Sequence, residues 1–186
     1  VGFREGFSNR ITRAGECRIL APALASALPE LRAALAELSI ADRIPQVELA
    51  AGDAGAAFVI RHLAPLAAAD RRVLEAFGAH PGRIVCLQPG GYETVHTLAD
   101  AGKPAAGQPW LMYTNPDFGL SFRFLPTDFT QVNPWINREL VRSAVLGLDV
   151  GPGTQAVDLF SGIGNFALAL ARRGADVVGY ESSTGA

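Results

Sequence analysis

The sequence predicts an α/β chain in two parts: a hairpin-rich α+β region over residues 1–126, then the start of an alternating, Rossmann-like region over 127–186. Three observations carry this expectation. Short apolar runs bounded by Gly, Pro, Asn and Asp recur through the first part, as in paired strands. Apolar residues also fall at helical spacing between those runs. Near the end, Ala156-Val157-Asp158-Leu159-Phe160 turns through Gly162 and Gly164 into a helical pattern, and Asp176 to Tyr180 then delivers Glu181.

The elements follow in order. The opening residues read as a strand. Leu20 to Leu38 places Leu24, Leu28, Leu31, Leu35 and Leu38 on one helical face. Gln46 to Ala51 and Ala56 to Leu63 are two strands, with Gly52-Asp53-Ala54-Gly55 as the hairpin signal between them. Ala67 to Phe77 reads as a helix through Leu66, Val73, Leu74 and Phe77, although no Ser or Asp cap precedes it. Arg83 to Leu87 is a short strand ended by Gln88-Pro89-Gly90-Gly91.

Residues 88–109, rich in Gly, Pro and Ala, predict a surface excursion. Trp110 to Tyr113 and Leu120 to Phe124 form a further strand pair around Asn115-Pro116-Asp117. Asn133 starts a helix with Pro134 in its first turn, and Trp135, Leu140, Ala144 and Leu148 lie along one face. Gly151-Pro152-Gly153 ends it.

Composition bounds the function. With 49% hydrophobic and 18% charged residues the chain can bury a core, and a formal charge of -2 provides no global basic field. Any nucleic-acid contact must therefore be local. Of the 16 basic residues only Lys103 is a lysine, a skew that genome composition explains as well as phosphate binding does. Cys17 and Cys86 are too few for a disulfide framework, which suits a reducing cytoplasm. No apolar run reaches the roughly 18 residues that span a bilayer. Val1 to Glu5 contain no signal peptide and read like the inside of a strand, so a piece of a longer protein is expected.

The glycine turn bears the chemistry. Gly162 and Gly164 allow backbone angles and a close approach that a Cβ would forbid. Glu181, at the tip of the next strand, is placed to accept hydrogens from a ribose. Dinucleotide and S-adenosylmethionine binding are both open on this pattern. Ala167 stands where a dinucleotide site prefers a third Gly, and Asp158 can face an ammonium group, so the methionine cofactor is favoured.

Two segments together take the argument further. Phe124-Leu125-Pro126-Thr127-Asp128-Phe129-Thr130-Gln131-Val132-Asn133, followed by Asp158-Leu159-Phe160-Ser161-Gly162-Ile163-Gly164-Asn165-Phe166, closely resembles the RNA uracil-C5 methyltransferases. The likeness is to the iron–sulfur subgroup that acts on bacterial 23S ribosomal RNA, and it extends upstream through Gly2-Phe3-Arg4, Cys17 to Pro22 and Arg61-His62.

The resemblance implies a central α+β domain followed by the truncated start of a Rossmann-like, S-adenosylmethionine-dependent methyltransferase domain. It implies cofactor contacts from Gln131, Phe160, Asn165 and Glu181, and it matches Cys17 to one of four cysteine ligands of a 4Fe-4S cluster. One thiolate cannot hold a cluster, so none is expected in the chain as given. RNA is the implied partner, ribosomal ahead of transfer RNA, with no membrane and a cytoplasmic location. The family's nucleophilic cysteine and carboxylate base would lie beyond Ala186, so the chain alone is expected to be inactive.

The structural alternatives are an ordinary core role for Phe160, a helix-entry cap for Gln131 and a solvated strand end for Glu181. Phe129 reads equally as a stacking partner for an extruded base or as a packed junction. Arg4, Arg10, Arg13 and Arg18 read as solvated surface before an RNA-facing strip. The rival functions are a nicotinamide-dependent Rossmann enzyme and a non-catalytic RNA-binding module.

Overall fold

The computed structural model describes residues 2–8, 10–13, 17–98 and 109–182. Contacts within the chain fall into two units, Val1–Leu111 and Met112–Ala186.

The first unit opens with β1 (Gly2–Arg4) and β2 (Ile11–Arg13), an antiparallel pair. Arg10 and Arg18 are exposed there, while the side chains of Arg4 and Arg13 lie outside the described residues. A four-stranded sheet follows in the order β3-β4-β5-β6, from β3 (Gln46–Ala51), β4 (Ala56–Arg61), β5 (Arg83–Gln88) and β6 (His96–Thr97). The β3/β4 and β5/β6 pairs are antiparallel, and β4/β5 is parallel. A parallel pair needs a crossover, which α2 (Ala68–Gly78) supplies. The expected excursion after Gln88 thus returns in part as the edge strand β6. Residues 99–108 lie outside the described residues.

Helix α1 (Pro22–Glu37) buries Leu24, Ala27, Leu28, Leu31, Ala34 and Leu35 on one stripe, as its spacing predicted. That stripe meets Phe58, Ile60, Leu74, Phe77 and Leu87 in a single core. Phe58 and Phe77 meet edge to face at 5.0 Å, and the Arg83 guanidinium lies 4.7 Å over the Phe77 ring.

The capping group that the sequence of α2 lacked at its start lies inside the helix. Buried Asp70 accepts from Ala67 N–H (2.9 Å), Ser39 N–H (2.7 Å) and Ser39 Oγ (2.8 Å), which ties the helix start to the loop after α1.

In the second unit β7 (Leu111–Asn115) and β8 (Leu120–Phe124) pair as a hairpin, with Tyr113 stacked on Phe122 at 4.7 Å. Helix α3 (Pro134–Gly147) is capped by Asn133, whose Oδ1 accepts from Ile136 N–H at 3.0 Å. Strands β9 (Gln155–Leu159) and β10 (Asp176–Tyr180) are parallel and joined through α4 (Ala167–Arg172).

The core of this unit is Val141, Val145, Val150, Ala169, Leu170 and Ala175, with Phe118 and Leu120 of the hairpin packed against it. Asp117 also takes a two-pronged ion pair from Arg138, and Gly119 O accepts from Arg172. These contacts group the hairpin with the β–α–β part, and the division by contacts falls after Leu111.

The buried face of α3 is the one clear departure from the periodicity. Asn137, Val141 and Val145 are inside, whereas Trp135, Leu140 and Leu148 are exposed. Small branched side chains suit the tight contact with Ala169 and Leu170; the larger apolar groups are turned away. The face of the β9/β10 sheet bearing Val157, Leu159, Val178 and Tyr180 is exposed as well. Among the described residues no helix is long and apolar enough to cross a membrane.

Asp70 yields a test. The Ser39 N–H holds its carboxyl below the usual value; burial opposes this, and the Ser39 hydroxyl and Ala67 N–H reinforce it. A depressed folded-state pKa stabilises the fold fully above the unfolded value of about 3.9 and ceases to do so as pH falls through the folded value. Asp70→Ala should therefore cost about 2–3 kcal/mol at pH 7. Urea denaturation followed by circular dichroism should show the gap between parent and variant shrinking below about pH 4, and a gap independent of pH would contradict this role.

A candidate cofactor site at the glycine turn

The turn between β9 and α4 is built by the parallel pairing before it. Leu159 stands opposite Tyr180, and Ser161 N–H donates to Tyr180 O at 3.0 Å, which brings Glu181 alongside the turn. Gly162 N–H then donates to Glu181 Oε2 at 2.8 Å. Asp158, one register step back opposite Gly179, accepts from Ala167 N–H through Oδ2 at 3.0 Å. Each carboxylate thus secures one end of the turn, and Glu181 Oε1 also accepts from Ser182 Oγ at 3.4 Å.

Three residues of the turn have left-handed backbones: Phe160 (φ 62), Gly162 (φ 52) and Gly164 (φ 91). Their surroundings differ. A Cβ on Gly162 would meet nothing within 4 Å, so its outer side is open ground. A Cβ on Gly164 would approach Leu168 to 3.0 Å. Gly179 is needed for space, since a Cβ there would lie 2.9 Å from Ser161 Oγ.

Phe160 is 84% exposed despite a backbone conformation that costs a non-glycine residue energy, which removes the core reading of this ring. Backbone strain of this kind clusters at binding and active sites. The sequence could not show it.

Asn165 is engaged from two sides. Its Oδ1 accepts from Asn137 Nδ2 at 3.1 Å and from Tyr113 Oη at 3.3 Å, and its Nδ2 donates to Asn137 Oδ1 at 2.7 Å. Burial pushes the Tyr113 hydroxyl up to about 12, so it stays a donor at neutral pH. Sequence reasoning missed both partners. The available signal was a polar Asn137 at the stripe position that continues through Val141 and Val145.

Gln131 is exposed, and its side chain makes no hydrogen bond among the described residues. The helix-entry cap is Asn133 instead. Phe129 is 82% exposed. The structure thus joins Asp158, Gly162, Gly164, Asn165 and Glu181 through one hydrogen-bonded turn, with Phe160 on its surface. No hydrogen bond connects Gln131 to it.

The cysteines do not form a cluster site. Cys17 is a partly exposed free thiol; Cys86 is buried, and burial pushes its thiol up to about 12. Among the described residues no three His, Cys, Asp or Glu side chains gather to hold a metal. An iron–sulfur cluster does not fit this donor set.

Over 183 residues, 98% of its length, the chain is 46% identical to the 23S rRNA (uracil(1939)-C(5))-methyltransferase RlmD of Aromatoleum aromaticum. Identity to the enzyme of the same name from Hahella chejuensis is also 46% over 183 residues. In sequence, the chain is similar to RNA uracil-C5 methyltransferases over nearly its whole length.

It spans 41% and 40% of the length of these two curated relatives of the uracil-C5 methyltransferase family. No family model matches the chain. In fold it is similar to the Pyrococcus abyssi tRNA (uracil-54, C5)-methyltransferase, solved in complex with S-adenosyl-L-homocysteine. That match has a TM-score of 0.64 and 17% identity, and covers 98% of this chain and 46% of the other. The mixed α/β architecture read from the sequence is the architecture of this neighbour.

The two turn glycines should respond differently to substitution. Gly162→Ala meets only the cost of its backbone angle, about 1 kcal/mol, whereas Gly164→Ala adds the Leu168 contact and costs about 2–3 kcal/mol. Thermal unfolding of the two variants checks this, and equal losses would contradict the open ground over Gly162.

Proposed function

We propose that the turn after β9 binds S-adenosylmethionine, and that the whole protein transfers its methyl group to C5 of a uridine in RNA. 23S ribosomal RNA is favoured over transfer RNA as the substrate, and the cytoplasm as the location. One observation carries the reading: a turn with open ground over Gly162 and a strained, exposed Phe160 falls in a chain 46% identical to 23S rRNA uracil-C5 methyltransferases.

The residues present suit this cofactor. The Glu181 carboxylate has acceptor capacity for the ribose hydroxyls beyond its bonds to Gly162 N–H and Ser182 Oγ, and the Phe160 ring supplies apolar cover for the adenosine. Gln131, unengaged within the described residues, and Asn165 bind polar groups of the methionine or ribose. Asp158 Oδ1 faces the ammonium, and Gly162 allows the ligand to approach the backbone. The cofactor supplies an activated methyl group. This chain's share of the work is to bind and orient it.

Cys86 stays protonated at neutral pH and is unsuited to act as a nucleophile. The assignment of Cys17 as a ligand of a 4Fe-4S cluster in the whole protein rests on the sequence resemblance. The nicotinamide alternative is disfavoured by the chain's relatives, and the non-catalytic module by the intact turn.

The test is methyl transfer by the whole protein from labelled S-adenosylmethionine to unmethylated 23S rRNA, with unmethylated tRNA in parallel. Label should appear as 5-methyluridine in the 23S rRNA. Glu181→Ala should weaken cofactor affinity about tenfold through loss of charge-assisted hydrogen bonds. Binding of a nicotinamide dinucleotide without S-adenosylmethionine binding would overturn the reading, and label in tRNA alone would overturn the ribosomal preference.

A further inference from the structure

We propose that Asn137 is a positioning residue for the cofactor site: together with Tyr113 it locks Asn165, leaving one amide N–H of Asn165 to donate to an acceptor oxygen of the ligand. This rests on the S-adenosylmethionine reading above and specifies which part of the ligand Asn165 recognises.

A side-chain amide has two N–H donors and a carbonyl with two lone pairs. In Asn165 both lone pairs are taken, by Asn137 Nδ2 and Tyr113 Oη, and one donor is spent on Asn137 Oδ1. One N–H remains. Asn165 is therefore a donor towards a ligand and cannot receive the methionine ammonium. Its partner is an acceptor, either a carboxylate oxygen or a ribose oxygen.

Asn137 is only 8% exposed, on the stripe of α3 that packs into the unit's core. Water does not readily replace it there, so its loss frees the Asn165 amide to rotate and leaves a buried gap. Its place on a 14-residue helix gives the lock a rigid base. Tyr113 reaches the same carbonyl from β7, held by stacking on Phe122. Neither residue need touch the ligand; both act through Asn165.

A double-mutant cycle on the whole protein tests this. S-adenosylhomocysteine affinity is measured by calorimetry for the parent, Asn137→Ala, Asn165→Ala and the double variant, with thermal unfolding of each. Either single variant should bind about tenfold more weakly, and the double no more weakly than Asn165→Ala alone. Additive losses, or full affinity in Asn137→Ala, would overturn the proposal.

Should Asn137→Ala fail to fold, two further measurements decide. Tyr113→Phe removes a single hydrogen bond and should weaken binding in the same non-additive way. In the parent, one Asn165 side-chain amide proton should exchange slowly by NMR; fast exchange of both overturns the lock.

5′-Methylthioadenosine keeps the ribose and lacks the carboxylate. If Asn165→Ala weakens only S-adenosylhomocysteine, the acceptor is the carboxylate; if it weakens both ligands, the acceptor is a ribose oxygen. A parent protein that binds no S-adenosylhomocysteine sinks the cofactor reading itself, whereas binding with additive losses sinks only the lock.

Discussion

The hydrogen bond from Gly162 N–H to Glu181 is the constraint on which the second unit's surface depends. Parallel pairing of β9 with β10 brings the carboxylate to the turn, and the carboxylate holds the turn in left-handed angles it would otherwise leave. Asp158 does the same at the start of α4, and the Asn137–Asn165 pair anchors the middle. Two carboxylates meet the backbone of one short stretch, and Asn137 meets its Asn165 side chain. The stretch is ordered from within, so a ligand meeting it encounters preformed geometry.

That arrangement resolves the double duty of the acidic residues. A carboxylate has more acceptor sites than one N–H can use, so Glu181 can secure the turn and still have acceptor capacity for a ribose. Asn165 has no such surplus of acceptor capacity. On the proposed reading, the contrast gives Asn165 a donor-only role and Glu181 an acceptor role.

Most of the architecture was legible in the sequence because its signals are local. The α1 leucine stripe, the β3–β4 hairpin and the β9–turn–β10 order all come from periodicity and turn residues within short windows. Three features escaped for the same reason. The cap of α2 comes from Asp70 reaching Ser39, 31 residues away. The inward face of α3 is the one that meets Ala169 and Leu170, a tertiary contact, and not the one that carries its largest apolar residues. The hairpin's place in the second unit depends on Asp117–Arg138 and on Phe118 packing, both tertiary. At the site, the turn residues were readable as a motif, while Asn137, Tyr113 and the strain at Phe160 exist only once the chain has folded.

The central claim is that the turn is a preformed surface for an adenosine–methionine ligand. The most direct measurement is a heteronuclear NMR titration of the isotope-labelled protein with S-adenosylhomocysteine, and separately with a nicotinamide dinucleotide. S-adenosylhomocysteine should shift the backbone amides of Phe160 to Asn165 and of Glu181 while leaving those of β4 and β5 in place. The dinucleotide should shift none of them. Resonances of the turn that stay still under S-adenosylhomocysteine, or that move only with the dinucleotide, would contradict the account.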